Sequence, residues 1–374
     1  MGGWQPDPAQ VRLQPTTRGF WAPRWWQNPA CLLEGFSKLE RVSLVSDWFQ
    51  LVDAYLGIES QDLAFRSRFR RLYGEFLSSP SRVPLGVQKL HCQVQVSRGA
   101  PACLVTLSAP EEVGMVDFIL DLYRDRGYVE TYDTSDGWRS LGLPGRDEPL
   151  LTAKGSHVFV GRWQSWQPLI ATCAINWVMR MQPDVLFFHA ASVGIGGAGV
   201  LIAGDKGTGK STLSMALGAQ GHEFFGDEIA AVRWPTLELA PFRRTVSVRP
   251  GPQSRWVEKV LMDNATYTEP FPDGTTRRRA EAGKLFPRAV ANSLPLRWLF
   301  FLRSFEYRPR AEAFRPRTSD LRLLAPMPCA FWKTSPARPM MKAAKLLSSV
   351  NCYFLHPGLP EETAGLVEGI VRAG

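Results

Sequence analysis

The sequence predicts an α/β protein, with an α/β core in residues 156–374 and an α+β domain in residues 1–155. Three observations carry this. A short apolar run, Val200–Ala203, leads straight into a glycine-rich loop and then into a helical pattern. Upstream, residues 88–107 alternate in the strand manner, while residues 60–76 repeat apolar side chains at helical spacing. Length and composition complete the argument. At roughly 100–200 residues per domain, the chain's 374 residues make two or three domains. With 45% hydrophobic and 21% charged residues, each can bury a core, and a mainly disordered chain is excluded.

The elements follow in order. Residues 1–30 are rich in Trp and Pro, with Trp21, Trp25 and Trp26 close together, and read either as an arm packed on the body or as a poorly ordered leader. Ser46–Leu56 is predicted as a helix, with Asp47 in its first turn and Gly57 behind it. Ser60–Phe76 is predicted as a second helix, its apolar face made by Leu63, Phe65, Phe69, Leu72, Tyr73 and Phe76. Arg66, Arg68, Arg70 and Arg71 form its other face, expected to be solvated. Residues 88–107 give two strands around a turn at Gly99-Ala100-Pro101. Glu111–Arg126 reads as a helix through Val116, Ile119, Leu120 and Tyr123, short strands continue to Val160, and Trp166–Met181 reads as a buried helix. Leu186–Val193, containing His189, and Gly199–Ala203 read as two strands joined by Gly194–Ala198.

The six cysteines form no CxxC pair and no zinc spacing, which predicts reduced, buried thiols. The N-terminus shows no basic start followed by an apolar run. The longest apolar-rich stretch, Leu169–Val178, is interrupted by Asn176 and falls far short of the ~20 residues that cross a bilayer. These features predict a soluble, cytoplasmic protein without a membrane partner.

The chemistry-bearing stretch begins at residue 204. Gly204-Asp205-Lys206-Gly207-Thr208-Gly209-Lys210-Ser211 satisfies the pattern G-x-x-x-x-G-K-[ST] in full, and Thr212–Leu217 continues it as a helix. The context that gives this pattern meaning, strand then loop then helix, is present. Glycines let the backbone wrap an anion, with its N–H groups and the positive end of the helix dipole pointing inward. Lys210 supplies a mobile charge for β- and γ-phosphates, and the Ser211 hydroxyl suits a Mg²⁺ shell. The expected ligands are ATP, or another nucleoside triphosphate, and Mg²⁺.

Asp227 and Glu228 follow the apolar pair Phe224-Phe225 and Gly226, only 17 residues beyond Lys210. That leaves room for the loop's helix, a turn and one strand. The acids therefore sit on the strand reached directly after the helix, an arrangement that favours a kinase over a helicase, transporter or AAA-type machine.

These residues together resemble the HPr kinase/phosphorylase family and its wider set of HPr-kinase-like proteins. The shared order is a His-led strand (His189), a glycine hairpin, the loop Gly199–Ser211, Gly221-His222, and the acidic pair Asp227-Glu228. The likeness covers Phe187–Val232 and continues more weakly through Pro241–Pro250, Leu294–Ser304 and Tyr353–Val371, while residues 1–150 match no family. The resemblance implies a kinase fold related to phosphoenolpyruvate carboxykinases, with phosphate transferred from a nucleotide to a hydroxyl, typically a serine. It makes Asp227 the general base, Glu228 a Mg²⁺ ligand or an orienter of that base, and His189 a neighbour of the transferred phosphate. Arg249 would face the phosphates or the acceptor. Two departures are visible. The family's acidic pair is normally two aspartates, and the loop that lets true HPr kinases remove phosphate is not recognisable. The resemblance therefore implies neither phosphorylase activity nor HPr as substrate.

Net charge is +9, yet residues 243–345 alone carry 21 Lys and Arg against 8 Asp and Glu. Within them, Asp273–Arg279 reads as a mobile loop, either a lid over phosphates or an acidic substrate, or simply a solvated loop. No nucleic-acid-binding motif accompanies the charge, so nucleic acid is not an expected partner. The expected partner is a hydroxyl-bearing acceptor, whether peptide, protein or small molecule, selected by the N-terminal half. A homo-oligomer is compatible with the sequence. The alternative function is a catalytically silent nucleotide-binding assembly or regulatory protein on the same fold.

Overall fold

A computed structural model describes residues 46–60, 62–82, 89–96, 103–108, 127–132, 137–145, 151–154, 157–160, 171, 174–248, 267–270, 276–289, 292–324 and 337–374. The expectations for residues 1–30, the Gly99–Pro101 turn, Glu111–Arg126 and Arg249 fall outside them.

The first nine strands are β1 (Ser46–Leu51), β2 (Ala54–Ser60), β3 (Leu77–Ser78), β4 (Lys89–Val96), β5 (Cys103–Ser108), β6 (Val129–Tyr132), β7 (Arg139–Gly142), β8 (Leu151–Lys154) and β9 (His157–Val160). They form one sheet in the order β3-β1-β2-β4-β5-β9-β8-β7-β6. The boundary drawn at residue 155 falls between β8 and β9, which pair with each other. Only β2 and β4 run parallel, and the crossover that such a pair requires is carried by helix α1 (Leu63–Tyr73).

Two expectations are corrected here. Ser46–Leu56 is a hairpin, not a helix: β1 and β2 pair antiparallel around Val52-Asp53, with Val52 at φ 62°. Phe49 and Leu51 point into the core, and Asp47, read as a helix-start residue, is buried beneath α1. There it accepts hydrogen bonds from Arg66 Nε (3.0 Å) and Arg70 Nη2 (2.6 Å), and these hold its carboxyl below the usual carboxylate range against the opposing effect of burial. The second correction concerns the arginine face of α1. Arg66 is buried, Arg68 pairs with the buried Glu269, and Arg71 lies over the Tyr267 ring at 5.4 Å. The face is thus only half solvated: Arg66 and Arg68 are taken up in ion pairs with neighbouring elements, while Arg70 and Arg71 are exposed as expected. The helix itself starts where Asp62 Oδ1 accepts from Ala64 N at 2.8 Å, an N-cap, and buries Phe65, Phe69, Leu72 and Tyr73 as expected. Leu63 is exposed.

Six strands follow: β10 (Val185–Phe188), β11 (Ala191–Ile195), β12 (Ala198–Ala203), β13 (Glu223–Gly226), β14 (Ala230–Arg233) and β15 (Glu238–Ala240). Three more, β16 (Val246–Val248), β17 (Tyr267–Pro270) and β18 (Thr276–Ala280), form a separate small sheet in the order β16-β18-β17. The last are β19 (Leu294–Leu302), β20 (Arg310–Phe314) and β21 (Asn351–His356). The central sheet has the order β10-β14-β15-β19-β12-β11-β13, with β21 beside β19 and β20 beside β21. Its centre is parallel, β12 with β19 and β19 with β21. Helices α2 (Lys210–Ala219), α3 (Ala282–Leu285), α4 (Ala337–Ser349) and α5 (Pro360–Ala373) accompany it.

The central strands are apolar throughout because both faces are covered. Val200 and Ile202 of β12, with Phe300 of β19, pack under α2 and α5. Leu201 and Ala203, with Leu299 and Phe301, pack on the opposite face with Leu346 and Leu347 of α4. The expected buried helix at Trp166–Met181 is helical at residues 174–180 among those described. Its Trp177 and Val178 join Phe187, Ala231 and Phe242 to the core of the first sheet, so one apolar interior continues from the N-terminal sheet into the central one. Strand Leu186–Val193 is divided in two. β10 pairs with β14, and β11 with β12 and β13. His189 lies at the break, not within a strand.

No helix among the described residues is long and apolar enough to cross a membrane. Cys92 and Cys352 are buried and in no disulfide, and burial pushes the Cys352 thiol up to about 12, so Cys352 is inert as a nucleophile at neutral pH.

Candidate phosphate-binding and acid–base site

The loop from Gly204 to Gly209 connects the end of β12 to the first turn of α2. Gly204, Gly207 and Gly209 have φ of 153°, 90° and 101°, values that L side chains rarely adopt. At Gly204 a Cβ would also lie 2.8 Å from Thr208 Oγ1 and 3.0 Å from Leu302 Cβ. Thr208 Oγ1 donates to the Asp205 carbonyl at 2.9 Å. Lys210 is the first residue of α2 and is buried. Its Nζ donates to the carbonyls of Gly204 (2.8 Å) and Asp205 (2.9 Å). Burial lowers its pKa, opposed by the Asp205 charge.

The helix returns directly into β13, an edge strand of the central sheet, and Asp227 is the residue after it. His222, at the turn before β13, is buried with Nε2 3.5 Å from Glu368 of α5, so the Gly-His of the sequence pattern joins two elements away from the loop. Gly226 sets the exit. A Cβ there would meet the Phe242 carbonyl at 2.9 Å and the Ile229 carbonyl at 3.2 Å. Gly226→Ala is expected to destabilise the fold by about 1–3 kcal/mol, measured by urea unfolding, because both contacts are backbone and cannot swing away.

Asp227 is buried, and its Cγ carboxyl lies within reach of the Ser211 hydroxyl; Ser211 Oγ is 3.5 Å from the Asp227 carbonyl oxygen. Burial raises the Asp227 pKa, while Arg244, Ser211 and Arg279 pull it back. Arg244 also forms an ion pair with Glu228. His189 stands close enough to Lys210 and Arg244 for their charges to reinforce burial in lowering its pKa, which favours the neutral imidazole. The loop with Lys210 and Ser211, His189 and Asp227 thus lie near one another. Glu228 lies at the rim of this group, paired with Arg244.

Arg244 was not found from sequence, which pointed instead to Arg249. Nothing local marks Arg244. It reaches the site because the segment Phe242–Thr245 crosses behind Gly226. That segment is anchored by α1 and the turn after it: Arg243 donates to Glu75 Oε2 at 2.6 Å and to the Phe224 carbonyl at 3.1 Å, and Thr245 N donates to the Leu72 carbonyl at 3.0 Å. Tyr73, at the end of α1, lines the same small recess as Asp227, Glu228 and Arg244. Helix α1 of the N-terminal half therefore delivers a side chain to the recess, a link invisible in the sequence.

The predicted loop Asp273–Arg279 is corrected in its second half. Residues 276–280 are strand β18, and Arg279 is buried, bonded to Glu269 and, at 3.2 Å, to the Thr245 carbonyl. Part of the positive excess is thus structural, pairing with a buried carboxylate rather than waiting for a ligand.

The site can be tested for fit to Mg²⁺. A serine hydroxyl and a carboxylate side by side are hard oxygen donors. Mg²⁺ is commonly held by one or two such protein groups, with phosphate oxygens and water completing an octahedron. Ser211 and Asp227 fit that description. Among the described residues no cluster of three His, Cys, Asp or Glu occurs, and a magnesium site of this kind does not need one.

No family model matches the chain, and no curated protein matches it. Among solved structures, it is similar to the HPr(Ser) kinase/phosphatase from Coxiella burnetii at 16% identity, over 50% of this chain and 94% of that chain, with a TM-score of 0.25. At that TM-score the similarity carries no argument about function, and the α/β architecture rests on the strands and helices described above.

Proposed function

We propose that the chain is a nucleotide-dependent kinase that moves a phosphoryl group from a nucleoside triphosphate, ATP or another, to a hydroxyl. The observation that carries this reading is the meeting of the phosphate loop with a buried carboxylate. Ser211 Oγ lies 3.5 Å from the Asp227 main-chain carbonyl, and burial raises the proton affinity of the Asp227 carboxyl against the opposing pull of Arg244 and the Ser211 hydroxyl.

Phosphoryl transfer asks a protein chiefly for in-line placement and for neutralised charge. The backbone N–H groups of the loop and Lys210 would hold the phosphates. Ser211 and Asp227 would hold Mg²⁺, which, when bound, offsets the charge of the phosphate oxygens. Asp227 would accept the acceptor's hydroxyl proton as its oxygen bonds to phosphorus and the nucleoside diphosphate leaves. Arg244 and a neutral His189 would border the transferred group. Tyr73 gives the N-terminal half a place to select the acceptor.

The Glu228–Arg244 ion pair favours a second reading, a nucleotide-binding protein without transfer, since it occupies the second acid of the pair. Incubation with γ-labelled ATP, Mg²⁺ and a panel of peptides and small hydroxyl compounds separates the two. Label transferred to an acceptor supports the kinase. Bound nucleotide with neither transfer nor hydrolysis supports the silent protein.

A further inference from the structure

Beside the phosphate loop lies a cleft of about 420 Å³, within the range of roughly 300–1,000 Å³ usual for small-molecule sites. One wall is the loop itself, residues 205–208. The other is the turn that leaves β19, Leu302–Phe305. Phe305 is a large ring at 66% exposure, set in a wall whose other groups are mostly polar.

Its turn is braced from several sides. Arg303 N donates to the Leu355 carbonyl and Glu306 N to the Pro357 carbonyl, both at 2.8 Å. The Glu306 carboxylate accepts from Arg310 Nε at 2.8 Å and lies 3.0 Å from His356 Nδ1. Gly358 packs so closely that a Cβ would lie 2.8 Å from Pro309. Arg303 stacks its guanidinium on Phe354 at 4.1 Å, which secures that side chain against β21. Phe305 is therefore an exposed ring carried on a held backbone, and a preorganised ring costs little entropy when a second ring stacks on it.

We propose that Phe305 is the stacking platform for the base of the nucleotide, so that the ligand is a nucleoside triphosphate and not an inorganic polyphosphate. This rests on the kinase reading of the phosphate loop. It extends that reading by assigning the base end of the ligand, which the loop motif leaves unspecified. A triphosphate seated in residues 204–211 would direct its nucleoside end into the cleft that begins at residues 205–208, and the ring across that cleft offers a π-face to any base.

The test compares two ligands on the full-length protein by isothermal titration calorimetry: ATP and inorganic tripolyphosphate, each with Mg²⁺. Phe305→Ala is expected to weaken ATP by about tenfold or more, the usual effect of removing one base-stacking aromatic, while leaving tripolyphosphate unchanged. Phe305→Trp should keep ATP affinity at or above the parent's. The ring is exposed, so both variants should melt with the parent. Unchanged ATP affinity in Phe305→Ala overturns the platform, as does an equal loss for both ligands. If the parent protein binds tripolyphosphate and Lys210→Ala does not, the loop reading stands independently of the Phe305 result. If the parent binds neither ligand, the loop reading fails and the platform fails with it.

Discussion

Lys210→Ala is expected to abolish nucleotide binding and every activity that depends on it. Lys210 Nζ is buried at the mouth of the loop, bonded to the Gly204 and Asp205 carbonyls. Its charge therefore sits at the centre of the loop, where phosphates would lie. Charge-assisted hydrogen bonds contribute about 1.5–3 kcal/mol each. Two such bonds lost to phosphate oxygens lower affinity by more than about a hundredfold. The substitution also leaves two loop carbonyls without their donor, so a small fall in thermal stability should accompany it. Titration calorimetry reads the affinity, and a melting curve separates loss of ligand from loss of fold. Undiminished affinity in a folded variant would remove this loop from the nucleotide site.

Asp227→Asn should leave affinity for the metal-free nucleotide largely intact, weaken Mg²⁺ binding, and reduce phosphoryl transfer by at least the roughly 10²–10⁴-fold usual for a positioned general base. Because burial raises the Asp227 pKa, the acidic limb of the parent's kcat/KM profile should lie above the ordinary carboxylate value of about 3.9, and that limb should vanish in the variant. Stability gives a second readout. With the folded-state pKa raised, the folded protein holds a proton that the unfolded chain has already released. Stability therefore falls as pH rises from the ordinary carboxylate pKa through the raised one. The asparagine variant lacks this penalty. It should be more stable than the parent at neutral pH, with the gap closing below about pH 3.9. Equal transfer rates in the two proteins would dismiss Asp227 as base.

The legibility of the chain followed the range of its interactions. The loop was readable because each of its functional groups is local: φ values that favour glycine at 204, 207 and 209, and a lysine and serine that open α2. The hairpin of β4 and β5 was readable from alternation. The same kind of reading misassigned Ser46–Leu56, where the short pattern suits either a helix or a strand. What decides it is pairing with β4, whose residues lie more than thirty positions away, and burial of Asp47 under Arg66 and Arg70. Arg66 and Arg68 of α1 read as solvent-facing because their acidic partners, Asp47 and Glu269, lie far from them in sequence.

By itself, the sequence determined the strand, the glycine-rich loop, the helix after it, and the next strand, which leads to the acidic pair; the acids follow that strand rather than lie on it. These depend on backbone conformation and on spacing within a few dozen residues. Only the tertiary structure decided what surrounds that pair. The Phe242–Thr245 segment, bound to α1 and the turn after it, brings Arg244 to the acids, while the end of α1 contributes Tyr73 and the turn after β19 sets Phe305 across the cleft. Charge and burial act through space, so the setting that raises Asp227 and neutralises His189 belongs to the packed chain and to no segment of it.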